Sequence, residues 1–390
     1  DQRIVPLDPL QILTAAADAP DPTAFVDSLA PTDSIYLGLR QTLARYRALA
    51  AAGGWPQLAD GANLGPGSTD PRVATLRLRL QLTGDLAADA QGHPQSRYDD
   101  DVHRAVRRFQ QRHGLPANGI VDEQTRAVLN IPVQERIRQI LANLERARWL
   151  PDDLGDPHVL VNLADFALHV TERGRDVLRM RVVIGDPETI TPVFSDKISY
   201  IEINPYWNVP RSIAVKEKLP VLKRNPGALK AQNIRLLGPG GEEIDPATIN
   251  WSAVNANNFN YRLRQDPGER NALGRIKFMF PNPYGVYLHD TPSRALFRRQ
   301  VRAFSHGCIR IEKPIELATF LLRDKEGWGR ARILQTIAQG NNRAIVLRNP
   351  VSVHLVYLTA WLDGEGETQF RDDHYNLDAP LVAAVDAARE

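Results

Sequence analysis

The hydrophobic period of the chain changes once, and that change limits what it can fold into. Before about residue 147, apolar residues recur every three to four positions. In DVHRAVRRFQQRHG, Val102, Ala105, Val106 and Phe109 fall at i, i+3, i+4 and i+7, one face of a helix. From about residue 158 the period is two. Leu178, Met180, Val182 and Ile184 alternate with mostly polar neighbours, as in a half-buried strand. A helical part must therefore precede a sheet-rich part. At 390 residues the chain also exceeds the length at which one hydrophobic core usually divides. The expected class is α+β and multidomain: an N-terminal α-helical part and a mainly β domain of sandwich type.

Punctuation refines this division. Residues 1–70 form an arm and helical scaffold, in which Leu39, Leu43, Tyr46 and Leu49 share a helix face and Gly53-Gly54 ends it. Residues 71–130 form a small helical module. There Gly114 closes one helix, and Asp122 is an N-cap candidate for the short helix over 123–129. Residues 131–156 give a further helix over 133–147 and a linker. The β-rich domain spans 157–375, with strand pairs around ERGR, KISYIEINP, RIKFMF and GVYLHD, a short helix in SRALFRRQVRAF, and late strands in RAIVLR and VSVHLVYLTAWLD. Residues 211–265 lose the strand period and are expected to be an irregular inserted subdomain. Residues 376–390 are expected to be a tail.

The chemistry concentrates in AFSHGCIRI, which contains the only cysteine of the chain, Cys308. One cysteine cannot form an internal disulfide. A thiol attacks only as thiolate, and a free cysteine has a pKa of about 8.5, so it needs a partner to react near neutrality. Two histidines qualify. His306 is two positions away, roughly 6–7 Å along an extended chain, which is poor for direct proton transfer. His289 ends the strand GVYLHD and can lie opposite the thiol from another strand, so it is the expected general base, with His306 in support. Gly307 lets the backbone approach a substrate, which makes the Gly307 and Cys308 amides candidate oxyanion donors.

These residues resemble a known family. His289-Asp290, then fourteen residues, then Ser305-His306-Gly307-Cys308-Ile309-Arg310 is similar to the signature of L,D-transpeptidases with the YkuD-type catalytic fold. NLERARWLP, NPYWNVPRSIAVKEKLP, LGRIKFMFPNPYGVYLHDTPS and YLTAWLD are similar to a larger, YcbB-like subgroup. Residues 71–130 resemble a peptidoglycan-binding module, and 211–265 match a capping subdomain in position.

The resemblance implies a peptidoglycan enzyme in which Cys308 forms a thioester with a tetrapeptide stem and releases D-Ala. The acyl group then passes to the side-chain amine of meso-diaminopimelate on a second stem, giving a 3→3 cross-link. It implies that the Asp290 carbonyl orients His289 and that Tyr287 contributes to the oxyanion site. Arg310, a planar fork suited to carboxylates, is expected to hold the substrate, with Ser305, Tyr206, Trp207 and Asn208 as weaker substrate-binding candidates. Hydrolysis of the acyl-enzyme (an L,D-carboxypeptidase) and a non-catalytic peptidoglycan-anchoring protein are the alternatives. Stem peptides and glycan are the implied partners, a carbapenem the implied covalent inhibitor, and other cell-wall enzymes possible associates of a monomer. The implied location is the periplasm or cell envelope of a Gram-negative bacterium.

Other classes are disfavoured. Acids and bases are interspersed with a net charge of +2, unlike a dedicated nucleic-acid binder. The nine histidines are scattered without HExxH or a cysteine pair, so no metal is expected, and no other cofactor. No run approaches the 18 apolar residues of a membrane span. The chain opens DQRIVPLDPL, so a leader or anchor segment is expected to lie outside it.

Overall fold

The computed structural model describes residues 8–87 and 95–387. Chain contacts divide it into two compact units. One comprises residues 1–154, 162–165 and 356–390; the other comprises 155–161 and 166–355.

The first unit is helical. It contains α1 (Pro9–Asp18), α2 (Pro22–Ser28), α3 (Ser34–Ala51), α4 (Arg72–Leu82), α5 (Asp100–Arg112), α6 (Glu123–Leu129) and α7 (Val133–Ala147). The expected stops hold. Gly53, Gly54 and Gly114 adopt positive φ, and Asp122 accepts from the Thr125 amide at 2.8 Å to start α6. The module has its own core, in which Val73, Leu76 and Leu80 of α4 meet Val102, Val106 and Phe109 of α5. A second core joins Leu39, Leu43 and Tyr46 of α3 to Ile140 and Leu144 of α7, and Ala360 and Phe370 complete it. Those two belong to a ribbon of Ala360–Leu362 with Thr368–Phe370.

The C-terminal segment differs from expectation. Residues after 355 belong with the helical unit, and the expected tail contains a helix, Asp378–Ala387. Asp378 pairs with the buried Arg146 of α7 and accepts from the Thr359 hydroxyl at 2.7 Å. The reason is that burial of Phe370 and pairing of Arg146 are satisfied only against α3 and α7, which strand periodicity does not reveal.

The second unit is mainly β. Its strands are β1 (His158–Asn162), β2 (Ala167–Glu172), β3 (Arg175–Gly185), β4 (Phe194–Ile203), β5 (Trp207–Asn208), β6 (Ile234–Leu237), β7 (Arg262–Gln265), β8 (Ile276–Met279), β9 (Leu288–His289), β10 (Ala303–Ser305), β11 (Ile309–Ile311) and β12 (Arg343–Val356). The main sheet runs β10-β3-β11-β9-β8-β4-β12-β1-β2, and β2 also pairs with β3, so the pairings form a closed circuit.

Register explains both core and site. Ile345, Ile201, Phe278, Leu288 and Ile309 are successive cross-strand partners and are all at least 97% buried. One residue along, Glu202, Lys277, His289 and Arg310 are likewise successive partners. Side chains alternate faces, so the apolar row and the polar row lie on opposite faces of the sheet.

The insertion is more regular than its sequence suggests. Strands β5, β7 and β6 form a separate three-stranded sheet, so it starts before residue 211. α8 (Arg211–Ile213) continues through a π turn (Ala214–Lys218) into α9 (Leu219–Arg224). Leu219, Leu222, Trp251, Phe259 and Leu263 form its core. Four-residue strands are too short for a period of two to stand out. SRALFRRQVRAF is not the expected helix either. It makes only a 3-10 turn, Arg294–Arg298, in which Phe297 alone is buried, and its end becomes β10. Elsewhere α10 (Pro314–Leu321) starts at its proline, and α11 (Arg330–Gln339) stops at Gly340 with φ +76°.

Candidate active site

The turn from β10 to β11 presents Cys308, and its shape comes from three neighbouring residues. Ser305 is buried. Its hydroxyl donates to the Cys308 carbonyl at 2.5 Å and accepts from the Gly307 amide at 3.2 Å. Gly307 has φ +102°, a region open essentially to glycine. The buried Thr191 accepts from the Gly185 amide and donates to the Gly307 carbonyl, both at 2.9 Å. The turn is thus clamped from within and from the segment after β3.

Two expectations change as a result. Ser305 faces inward and spends its hydroxyl on the turn, so it offers no surface to a substrate. The Gly307 amide is already hydrogen-bonded to Ser305, so it is not free to serve an oxyanion as expected. The Cys308 amide makes no hydrogen bond to any described residue and remains available.

Around the sulfur, the Gly285 carbonyl lies at 3.9 Å. Tyr287 acts on the thiol electrostatically through both its backbone and its phenol. Burial pushes the thiol pKa up, while Tyr287 and the charges of Lys277 and Arg310 pull against it. Burial also pushes the Tyr287 phenol up.

His289 is buried, and its ring lies edge-on to Tyr287 at 5.7 Å. Its Nδ1 donates to the Asp290 carbonyl at 2.5 Å, the contact that the family resemblance implied. Burial, followed by the Arg310 charge, depresses its pKa to about 3, so it is neutral at ordinary pH. The Asp290 carboxylate faces away into structure, accepting from the Arg275 amide at 2.9 Å and pairing with Arg294 at 3.2 Å. Arg310, beside His289 in register, forms no ion pair with a carboxylate among the described residues. A half-buried guanidinium left this way can receive a carboxylate from outside.

The remaining candidates have other partners. Half-exposed His306 pairs through Nε2 with Glu217 of the insertion at 2.6 Å, so it ties the turn to that subdomain. Trp207 and Asn208 form β5, and Tyr206 stacks beneath Arg264 at 4.8 Å. None of the three makes a hydrogen bond or ring contact with Cys308, His289 or Arg310 among the described residues. Sequence reasoning passed over Lys277 and Glu202. Their only signal was their place in strands flanking His289, which needs the register to be known.

Residues 156–346 match the L,D-transpeptidase catalytic domain family YkuD, and residues 69–129 match a family described as "Putative peptidoglycan binding domain". The chain therefore carries a YkuD-type catalytic domain and a peptidoglycan-binding domain. A curated protein of Haemophilus influenzae named "Putative L,D-transpeptidase" is 36% identical over 252 residues, covering 64% of this chain and 50% of that protein. The chain thus spans about half the length of that curated relative. Among solved structures, an L,D-transpeptidase from Xylanimonas cellulosilytica is 16% identical, with 76% of this chain and 98% of that one covered and a TM-score of 0.24. L,D-transpeptidase 3 from Mycobacterium tuberculosis is 14% identical, with 50% and 61% covered and a TM-score of 0.23. Structural likenesses that low add nothing to the assignment. Domains of these two kinds belong to the cell envelope. Among the described residues, no helix is long and apolar enough to cross a membrane.

Proposed function

We propose that the protein is a cysteine L,D-transpeptidase of peptidoglycan, acting in the periplasm of a Gram-negative bacterium. The observation that carries this reading is the placement of the single cysteine at a clamped turn, with buried His289 and unpaired Arg310 on adjoining strands.

Both reacting groups start neutral. His289 Nδ1–H is committed to Asp290, so Nε2 is the basic nitrogen that takes the thiol proton. The thiolate adds to the carbonyl of the stem's third residue. The Cys308 amide and the Tyr287 hydroxyl stabilise the resulting oxyanion. The C–N bond to D-Ala breaks, its nitrogen taking the proton from His289, and a thioester remains. The side-chain amine of diaminopimelate on a second stem then adds to the thioester and gives its proton to His289. Collapse expels the thiolate and leaves the 3→3 peptide bond. Arg310 holds a stem carboxylate throughout.

Tetrapeptide muropeptides incubated with the protein should yield D-Ala and a 3→3 dimer detectable by mass, and Cys308→Ala should yield neither. Tripeptide without dimer would identify a carboxypeptidase. A fully active Cys308→Ala variant would overturn the cysteine mechanism. A carbapenem should add one drug mass at Cys308, and an unchanged intact mass would count against the same mechanism.

A further inference from the structure

We propose that Lys277, held by Glu202, is a positioning residue that fixes a positive charge against the Tyr287–Cys308 pair and so sets the pH at which the thiol becomes reactive. The inference rests on Cys308 being the nucleophile.

Lys277 lies on β8 directly opposite His289. Its side chain is only 15% exposed, an unusual setting for a lysine in the middle of a strand. The ammonium sits 4.1 Å from the centre of the Tyr287 ring, and its charge interacts with the Cys308 thiol. Its one carboxylate neighbour among the described residues, Glu202 on β4, is 3.8 Å away, too long for a hydrogen bond. Glu202 is itself fixed by the Asn342 amide at 3.1 Å. An ammonium so placed keeps a counter-ion near enough to stay charged, yet is not hydrogen-bonded to it, and its charge also acts on the thiol.

The charged and titratable groups near Cys308 are Lys277 on β8, Tyr287 and His289 at β9 and Arg310 on β11, with Glu202 behind Lys277; on the other side of the turn are His306, paired with Glu217, and Asp186 after β3. Burial lowers the Lys277 pKa, and Glu202 and the Cys308 thiolate oppose that shift. The same cation, together with Arg310, disfavours protonated His289. One charge therefore serves two ends, favouring the thiolate and keeping the imidazole in its basic form.

Because Cys308 is the only cysteine, iodoacetamide alkylation of the full chain, followed by intact mass, reports on this thiol alone. Rates would be measured between pH 6 and 11 for the wild type, Lys277→Met, Lys277→Gln and Lys277→Arg. Loss of the charge should raise the alkylation midpoint by about half to one pH unit, three- to tenfold in rate at a fixed pH below it. Lys277→Arg should restore the wild-type midpoint. Two charge-removing variants are used so that a packing defect in one does not decide the outcome, and thermal unfolding confirms that each is folded. Overlapping profiles for wild type and the neutral variants overturn the inference, as does an equal shift in Lys277→Arg. Cys308→Ala separates the two readings. If it still releases D-Ala, the nucleophile assignment fails. If it is inactive while the profiles overlap, only the role of Lys277 fails.

Discussion

Replacing Ser305 with alanine tests how the nucleophile is held. The hydroxyl is buried and serves two backbone groups, the Cys308 carbonyl at 2.5 Å and the Gly307 amide at 3.2 Å. Alanine leaves both without a partner in a site with little solvent. Each unsatisfied buried group costs about 1–3 kcal/mol, so the expected destabilisation is about 2–4 kcal/mol after partial relaxation. For a unit of this size that is about 5–15 °C in Tm. The turn should also loosen, so D-Ala release should fall in kcat with KM little changed. Ser305→Thr keeps the hydroxyl and should recover most of both. The assays are thermal unfolding and initial rates of D-Ala release across substrate concentration. If Ser305→Ala raised KM with Tm and kcat intact, the residue would touch substrate, and the structural argument would be refuted.

Three further outcomes are expected. His289 is neutral when folded, its pKa near 3 lying below an ordinary histidine value of about 6.5. Its contribution to stability is therefore complete above pH 6.5 and is lost as pH falls from 6.5 toward 3. Relative to His289→Gln, the wild type should lose up to about 1.4 kcal/mol per pH unit in that window, read by urea unfolding at pH 4.5 and 7.5; parallel curves would contradict the assignment. Gly307→Ala should cost about 1–3 kcal/mol from backbone strain alone, since a Cβ there meets nothing closer than 3.7 Å; an unchanged Tm would contradict this. In the helical unit, Asp85 and Arg112 form a buried pair at 2.6 Å, and Asp85→Asn should destabilise that unit by about 3–5 kcal/mol; a loss under about 1 kcal/mol in denaturant unfolding would show the guanidinium to be served otherwise.

The helical elements were legible because each carries its own signals. α6 and α7 begin and end where the apolar spacing and caps put them. Local chemistry and a spaced motif single out the cysteine and its distant histidine in the sequence, whereas the Asp290 carbonyl was expected only from the family resemblance. What was hidden depends on long-range pairing. Lys277 and Glu202 are ordinary strand residues until β4, β8, β9 and β11 are set in register. The opposite uses of neighbouring residues, Ser305 turned inward and Arg310 left open, are decided by the backbone of one turn. The insertion's strands and the C-terminal helix exist because partners distant in sequence cover them.

The helical unit is interrupted in sequence by the catalytic one, and it is sealed by the last segment of the chain. Phe370 and Ala360 fill the space between α3 and α7, Asp165 pairs with Arg371 at 2.6 Å, and Asp378 neutralises Arg146. A polypeptide stopped at residue 355 would hold all four residues of the polar row and the nucleophile, yet would leave an apolar gap and a buried arginine without its carboxylate. Proteolytic trimming near residue 356 should therefore disturb the helical half of the molecule more than the half that carries the thiol.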